Sequence, residues 1–235
     1  MNGSQTYHWR RSPRAKSLQV KITPWQGVEI VIPRHVSRER ARAFVLRHRQ
    51  WIHDTWKRMH EQIVDADLSL PESLELRGID EHWAVRYRSR SGSHARVTAG
   101  AGRTLTVHYD GRDERAARDA LRRWLTEKAR EYFSVYASRL SAETGFRYKR
   151  LQIRGQTSRW GSCSSNKTLS LNYKLLFLEP ELVRYLLIHE LAHTRCLDHS
   201  ARFWRLVTDF EPNGRVLDEE LGECWRDVPA WVEMP

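Results

Sequence analysis

His189, Glu190 and His193 stand in the order H-E-L-A-H, and His199 follows six positions later. On a helix, residues four apart project from one face, so His189 and His193 can share one tetrahedral metal ion. Glu190 lies about a quarter turn round, where it can act on a metal-bound water as general base without being a ligand. Zinc would lower the pKa of that water toward neutrality and polarise a carbonyl, which is hydrolytic chemistry. The ligand histidines must be neutral at the coordinating nitrogen, and pH 7 permits that. With 11 His and 18 Glu in 235 residues, random order would give these three letters at this spacing roughly 0.04 times per chain. The setting adds to the spacing. LVRYLLIHELAH is apolar, and three ionisable groups are costly to bury there without a partner. A metal site therefore explains the stretch better than structural histidines do.

A catalytic zinc site needs a third protein ligand and one open position. His199 is the leading candidate, because a turn around Cys196–Asp198 would bring the chain back to the first two histidines. Glu219, Glu220 or Glu223 further on, or Cys196 itself, are the alternatives. The spacing of the three histidines equals that of the metzincins, but Cys196 stands where those have glycine. No methionine turn follows either, since the only later methionine is Met234. Cys196 reads better as a small packed residue than as a thiolate ligand.

These residues need elements to position them. SLQVKI and GVEIVIP alternate about turn residues Pro24–Gly27, which predicts a hairpin. Ser37 can cap a helix running to about His60, with Phe44, Leu46, Trp51, Ile52 and Trp56 among its apolar residues. LELRGI, HWAVRYR, HARVTA and TLTVHY predict a second β-rich stretch. From about Arg112 to Ala142 a helical pattern carries Ala117, Leu121, Leu125, Tyr132, Val135 and Tyr136, with Gly145 as its stop. KRLQIRG and TLSLNYKLLF then predict strands on either side of QTSRWGSCSSNK. Glu179–Pro180 opens the helix of the histidines, another begins near Ser200, and a last covers about Val216–Arg226. Strands, helix, strands, helices is an α+β order rather than a β-α alternation. The expected division is a basic β-rich region with one helix over 1–110 and the histidine-bearing core over 111–235, or one continuous unit. No internal repeat or low-complexity linker is visible.

Composition sets the outer limits. The length supports a core without staples, and no apolar run reaches the roughly 18 residues of a membrane span. Three widely spaced cysteines (Cys163, Cys196, Cys224) argue against a disulfide framework and against a Cys-x-x-Cys knuckle. The first residues lack the apolar segment of a secretory signal, so the expected location is the reducing cytoplasm. Net charge is +11, and residues 1–60 hold 13 Lys and Arg against 3 Asp and Glu. That stretch could attract nucleic acid, although a solvated arginine-rich surface is the simpler explanation, since charge alone is weak evidence. Ten tryptophans add little, with Trp25, Trp51 and Trp124 placed where core or core-edge residues would stand.

RWGSCSS (159–165), LSLNYKLLFLEP (169–180), LLIHELAH (186–193) and DHSARFW (198–204) together resemble the YgjP-like metallopeptidases, relatives of the SprT-like and WLM zincins. RQWIHDTWKRM (49–59) and LELRGIDEHWAVRYR (74–88) fit more loosely. The resemblance implies a zincin-like core with an H-E-x-x-H active-site helix, one zinc ion, and His199 as the third ligand. Asp198 stands where Asn is usual and Tyr173 where Trp is common, and neither departure touches a ligand or the base. In that pattern Trp160, Gly161 and Ser162 would form a turn region near the cleft. Asn172 would orient a loop or hydrogen-bond a ligand histidine, and the strands of 151–178 would offer an edge to an extended peptide. Phe203 and Trp204 would pack the helix that positions His199. The function expected is zinc-dependent hydrolysis of polypeptides, with His189, His193 and His199 as ligands and Glu190 as base. Two alternatives remain beside it. One is hydrolysis of a nucleotide phosphoanhydride at the same metal. The other is a DNA-associated protease or nucleic-acid-binding module recruited through the basic N-terminal region. Oligomeric state and cleavage specificity are not legible.

Overall fold

The computed structural model describes residues 7–234 apart from 14, 24–26, 65–66, 91 and 93, leaving aside the side chains of 23 and 58–64. Contacts divide the chain into two compact units, residues 1–68 with 233–235, and residues 69–232. The division falls well before the boundary expected at 110. The reason is that the strands of 73–109 share one core with the histidine helix.

The first unit is a three-stranded sheet with two helices. Strands β1 (Tyr7–Ser12), β2 (Gln19–Thr23) and β3 (Gly27–Pro33) lie in the order β1-β3-β2. The expected β2–β3 antiparallel pairing forms, and β1 adds parallel to β3. Pro24, Trp25 and Gln26 of the expected turn lie outside the described residues. Ser37 caps as the sequence suggests, its Oγ accepting from the Arg40 amide at 3.2 Å. The helix is broken, however, into α1 (Arg38–Arg47) and α2 (Arg49–Val64). At His48 the amide reaches back to both Phe44 and Leu46 carbonyls, a tightened last turn, before the chain restarts. Ala41, Val45 and Ile52 face the core with Val28, Ile30 and Ile32. Leu46 and Trp51, read as apolar-face residues, are 65% and 55% exposed because they fall off that stripe.

The second unit carries the site. Strands β4 (Ser73–Leu76), β5 (Glu81–Ser89), β6 (Arg96–Gly100) and β7 (Thr104–Tyr109) form a sheet in the order β4-β5-β7-β6, with β5 and β7 parallel. Alternation puts Leu74, Leu76, Leu105 and Val107 on its buried face. Against that face lies α3 (Glu114–Thr144), capped by Asp113 Oδ1 accepting from the Ala116 amide at 2.9 Å. It ends where expected, at Gly145, whose φ of 70° suits a residue without Cβ. Its core stripe runs Ala117, Leu121, Leu125, Ala129, Phe133, Ala137, Leu140. Tyr132 and Val135, read as members of the stripe, are on the outer side, Val135 at 73% exposure. Trp124 packs half-buried at the edge of the core.

A second sheet of β8 (Arg150–Arg154), β9 (Gly161–Cys163) and β10 (Thr168–Asn172) has the order β8-β10-β9, with β9 antiparallel to β10 at the edge. The chain then makes a buried 3-10 turn over Tyr173–Phe177 and enters α4 (Pro180–Ala192) with Pro180 in its first turn. All of Tyr185–Ala192 is buried, as a helix apolar on every side requires. Helices α5 (Ala201–Thr208) and α6 (Gly214–Glu223) follow, and both pack on α4. The architecture is α+β.

Candidate metal centre

His189 sits in the last turn of α4 and His193 is its C-terminal cap, four residues on. After the chain turns through Cys196–Asp198, His199 stands just ahead of Ser200, the N-cap residue of α5. The turn has local causes. Asp198 Oδ1 accepts from the Ser200 amide at 3.2 Å and from Cys196 Sγ at 3.2 Å. The three imidazoles converge, with His189 Nε2 3.2 Å from His193 Nε2 and 3.1 Å from His199 Nε2. Two nitrogens bound at 2.0–2.1 Å to one tetrahedral zinc stand about 3.3–3.4 Å apart, so the spacing suits that ion. Phe203, fully buried on α5, underlies all three rings at centroid distances of 4.9, 4.5 and 4.8 Å.

The donor chemistry fits as well. His193 Nδ1 lies 2.9 Å from the Cys196 carbonyl, which can only accept, so Nδ1 carries the proton of the neutral ring. Its Nε2 lone pair is thereby aimed into the cluster. Burial, with repulsion from His193 and His199, holds His189 far below the ordinary imidazole range, at about 3. Burial also lowers His193, against the pull of the Cys196 carbonyl. Rings kept neutral in this way are ready to coordinate. Among the described residues this is the group of His, Cys, Asp and Glu able to hold an ion. Cys196 turns its sulfur to Asp198, and Glu219, Glu220 and Glu223 are exposed on α6 outside the cluster.

Glu190, one residue past His189, is 4% exposed and lies against β9. Burial pushes its carboxyl up to about 8, with the Arg159 guanidinium opposing. Among the described residues its Oε2 has no hydrogen-bond partner, which is costly unless something else comes to it. Gly161 makes room for the carboxylate: a Cβ there would stand 2.6 Å from Glu190 Oε1. Gly161 and Ser162, read as turn residues, belong to a strand, because Gly161 pairs with Leu171 and Ser162 with Ser170.

Trp160 and Asn172 are placed beside this strand and make their contacts away from the histidines. Trp160 is buried, stacks on Trp225 at 4.0 Å and donates from its indole N–H to the Leu221 carbonyl at 2.9 Å. Asn172 donates from Nδ2 to the carbonyls of Gln156 and Arg159 at 2.8 and 3.0 Å, and its amide reaches the Trp160 carbonyl at 2.8 Å. It thus holds the segment that leads into β9. Two residues escaped the sequence reading. The Tyr185 hydroxyl lies 2.9 Å from His189 Nδ1 and donates to Asp218 Oδ1 at 2.7 Å. Tyr185 was legible in principle, being four residues before His189 on an apolar helix.

The model of the YgjP-like metallopeptidase domain matches residues 16–223, nearly the whole chain. The protein belongs to the YgjP-like metallopeptidase family. It is accordingly a hydrolase of the zinc metallopeptidase class, and the histidine cluster is able to hold the ion. No curated protein matches the chain. Among solved structures, the metallopeptidase zymogen abylysin of Pyrococcus abyssi is 27% identical over 36% of this chain and 87% of its own. Its TM-score is 0.34. Among the described residues of this YgjP-like protein no helix is long and apolar enough to cross a membrane.

Proposed function

We propose that the protein cleaves peptide bonds with His189, His193 and His199 as zinc ligands and Glu190 as the general base. The observation that carries this reading is the convergence of the three imidazole nitrogens within 4.8 Å, one residue from a buried carboxylate with an unpartnered oxygen. Zinc bound there supplies Lewis acidity, polarising a carbonyl and making water easier to deprotonate. Glu190 takes the proton from the attacking water onto a carboxylate oxygen and delivers it to the departing amine. Burial raises the proton affinity of the carboxylate, which makes its ionised form the stronger base for taking up that proton. The substrate lies extended along β9, which is an edge strand among the described residues in the order β8-β10-β9. Pairing through main-chain hydrogen bonds makes such binding tolerant of substrate sequence.

The test compares an unfolded polypeptide with a nucleoside triphosphate as substrates of the zinc-loaded protein. Peptide hydrolysis is expected, with Glu190→Gln keeping its zinc and losing about 10²–10⁴-fold in turnover. His189→Ala is expected to lose the metal. Full hydrolysis by metal-replete Glu190→Gln ends the general-base assignment, and cleavage of the triphosphate alone ends the peptidase reading.

One observation favours an additional property. On α1 the arginines Arg38, Arg40, Arg42 and Arg47 are all exposed against a single acidic residue, Glu39. This excess of exposed basic charge would attract nucleic acid and bring the peptidase to proteins bound there. Affinity for a labelled duplex would then fall steeply with added salt. No binding at low salt removes the idea.

A further inference from the structure

Asp218 lies on α6 and touches the histidine cluster only through another side chain. The direct distance from its Oδ1 to His189 Nδ1 is 4.0 Å, too long for a hydrogen bond. Between them stands the Tyr185 hydroxyl, 2.7 Å from the carboxylate and 2.9 Å from the imidazole nitrogen. A phenol has one proton, and an ionised carboxylate can only accept. The proton therefore points to Asp218, in a charge-assisted bond of the usual short length. The phenol oxygen then meets His189 with lone pairs alone, so His189 Nδ1 must be the donor. In the neutral ring that leaves Nε2 with a free lone pair, and Nε2 is the atom facing His193 and His199. The opposite tautomer would put a hydrogen on Nε2, where it would block coordination.

The fold places each member of the chain. Tyr185 and His189 are four apart on α4, so both project from the same face. Packing of α6 on α4 brings Asp218 to that face. His193 is oriented differently, by a main-chain carbonyl that no side-chain change removes. The limb at His189 is the one that depends on side chains.

We propose that Asp218, acting through the Tyr185 hydroxyl, sets the tautomer of His189 and raises the donor strength of its Nε2 toward the metal. Asp218 and Tyr185 are positioning residues in this scheme. A hydrogen bond to a charged acceptor increases the basicity of the distal ring nitrogen, and a chain of two such bonds transmits that polarisation. The proposal rests on the assignment of His189 as a zinc ligand.

Two measurements test it. The first is the ring ¹⁵N spectrum of the metal-free wild-type protein, in which His189 is expected as the Nδ1–H tautomer. The second is zinc affinity, by competition with a chromophoric chelator, for wild type, Asp218→Asn, Tyr185→Phe, the double variant and His189→Ala. Loss of one such partner costs about 10–100-fold in metal affinity. Asp218→Asn is expected toward the lower end and Tyr185→Phe toward the upper, with the double variant no weaker than Tyr185→Phe because Asp218 acts only through the hydroxyl. An Nε2–H tautomer in the wild type overturns the proposal, and so does wild-type affinity in Asp218→Asn or additive losses in the double variant. Because Tyr185 is fully buried, a Tyr185→Phe protein that fails to fold leaves the decision to the wild-type spectrum and to Asp218→Asn. Unchanged zinc binding by His189→Ala points instead to an error in the ligand assignment itself.

Discussion

Replacing Gly161 by alanine tests the placement of Glu190 without replacing any of the three histidines or the carboxylate itself. The added Cβ would stand 2.6 Å from Glu190 Oε1, 2.8 Å from Cγ and 3.0 Å from Cδ. The backbone of Gly161 is outside the left-handed region, so alanine is conformationally acceptable and the clash is the whole perturbation. The strand cannot back away cheaply, because Gly161 and Ser162 are paired with Leu171 and Ser170. The carboxylate must yield, by about 0.8 Å at its closest atom, to regain ordinary contact, and a misplacement of that order costs about 10²-fold in rate. Overpacking of a buried site also costs about 1–3 kcal/mol, or roughly 2–4 °C of Tm per kcal/mol in a unit of this size. The assay is turnover on an unfolded polypeptide beside zinc content and thermal melting. Expected are unchanged zinc, about 100-fold slower hydrolysis, and a loss of stability that vanishes in a Glu190→Ala background, where the clashing atoms are gone. Gly222→Ala on α6, with no atom within 4 Å of the new Cβ, serves as the control that leaves turnover unchanged. Wild-type turnover and stability in Gly161→Ala would refute the placement, as would an equal stability loss in both backgrounds.

Phe203→Ala removes a fully buried ring that underlies all three imidazoles, so a cost of about 3–5 kcal/mol and weakened zinc binding are expected together. Denaturant titration with and without zinc checks this, and retained affinity would show that the rings need no such platform. Asn172→Ala takes the side-chain donor from the Arg159 carbonyl and leaves the Gln156 carbonyl with Lys174 Nζ alone, and is expected to cost about 1–3 kcal/mol, with slower turnover through a loosened approach to β9. Equal stability in a urea melt would contradict that. Zinc added to metal-free protein should stabilise it by about 2.7 kcal/mol at one hundred times its Kd. His199→Ala should lose most of that gain, and an equal rise in Tm in that variant would exclude His199 as a ligand.

What the sequence disclosed and what it withheld divide along physical lines. The cap at Ser37, the stop at Gly145 and the opening at Pro180 obey rules spanning four residues or fewer, and each stands as read. Tyr132 was misplaced because Tyr132 and Phe133 both fit a helical interval. The choice falls to Phe133, because only that residue continues the four-residue stripe through Ala129 and Ala137. Trp51 failed for a related reason, its neighbour Ile52 taking the core position. The division near residue 68 was invisible, since it depends on parallel pairing of β5 with β7 and on a core shared with α4.

The site obeys the same distinction, and that has a consequence for how such motifs are read. The interval that joins His189 to His193 also joins Tyr185 to His189, so half of the orienting chain was available from the helix alone. Asp218 was not, because nothing local to α6 says that it will lie against α4. The same holds for Gly161, whose meaning depends on the carboxylate behind it and not on its neighbours in β9. An H-E-x-x-H stretch thus specifies which atoms can bind and deprotonate, while the tautomer and the position of those atoms are set from other elements. A protein with the motif intact but a changed residue at 161 or 218 would therefore keep every expected letter and still differ, in turnover through the first and in metal affinity through the second. That separation of effects is what the Gly161 and Asp218 variants measure.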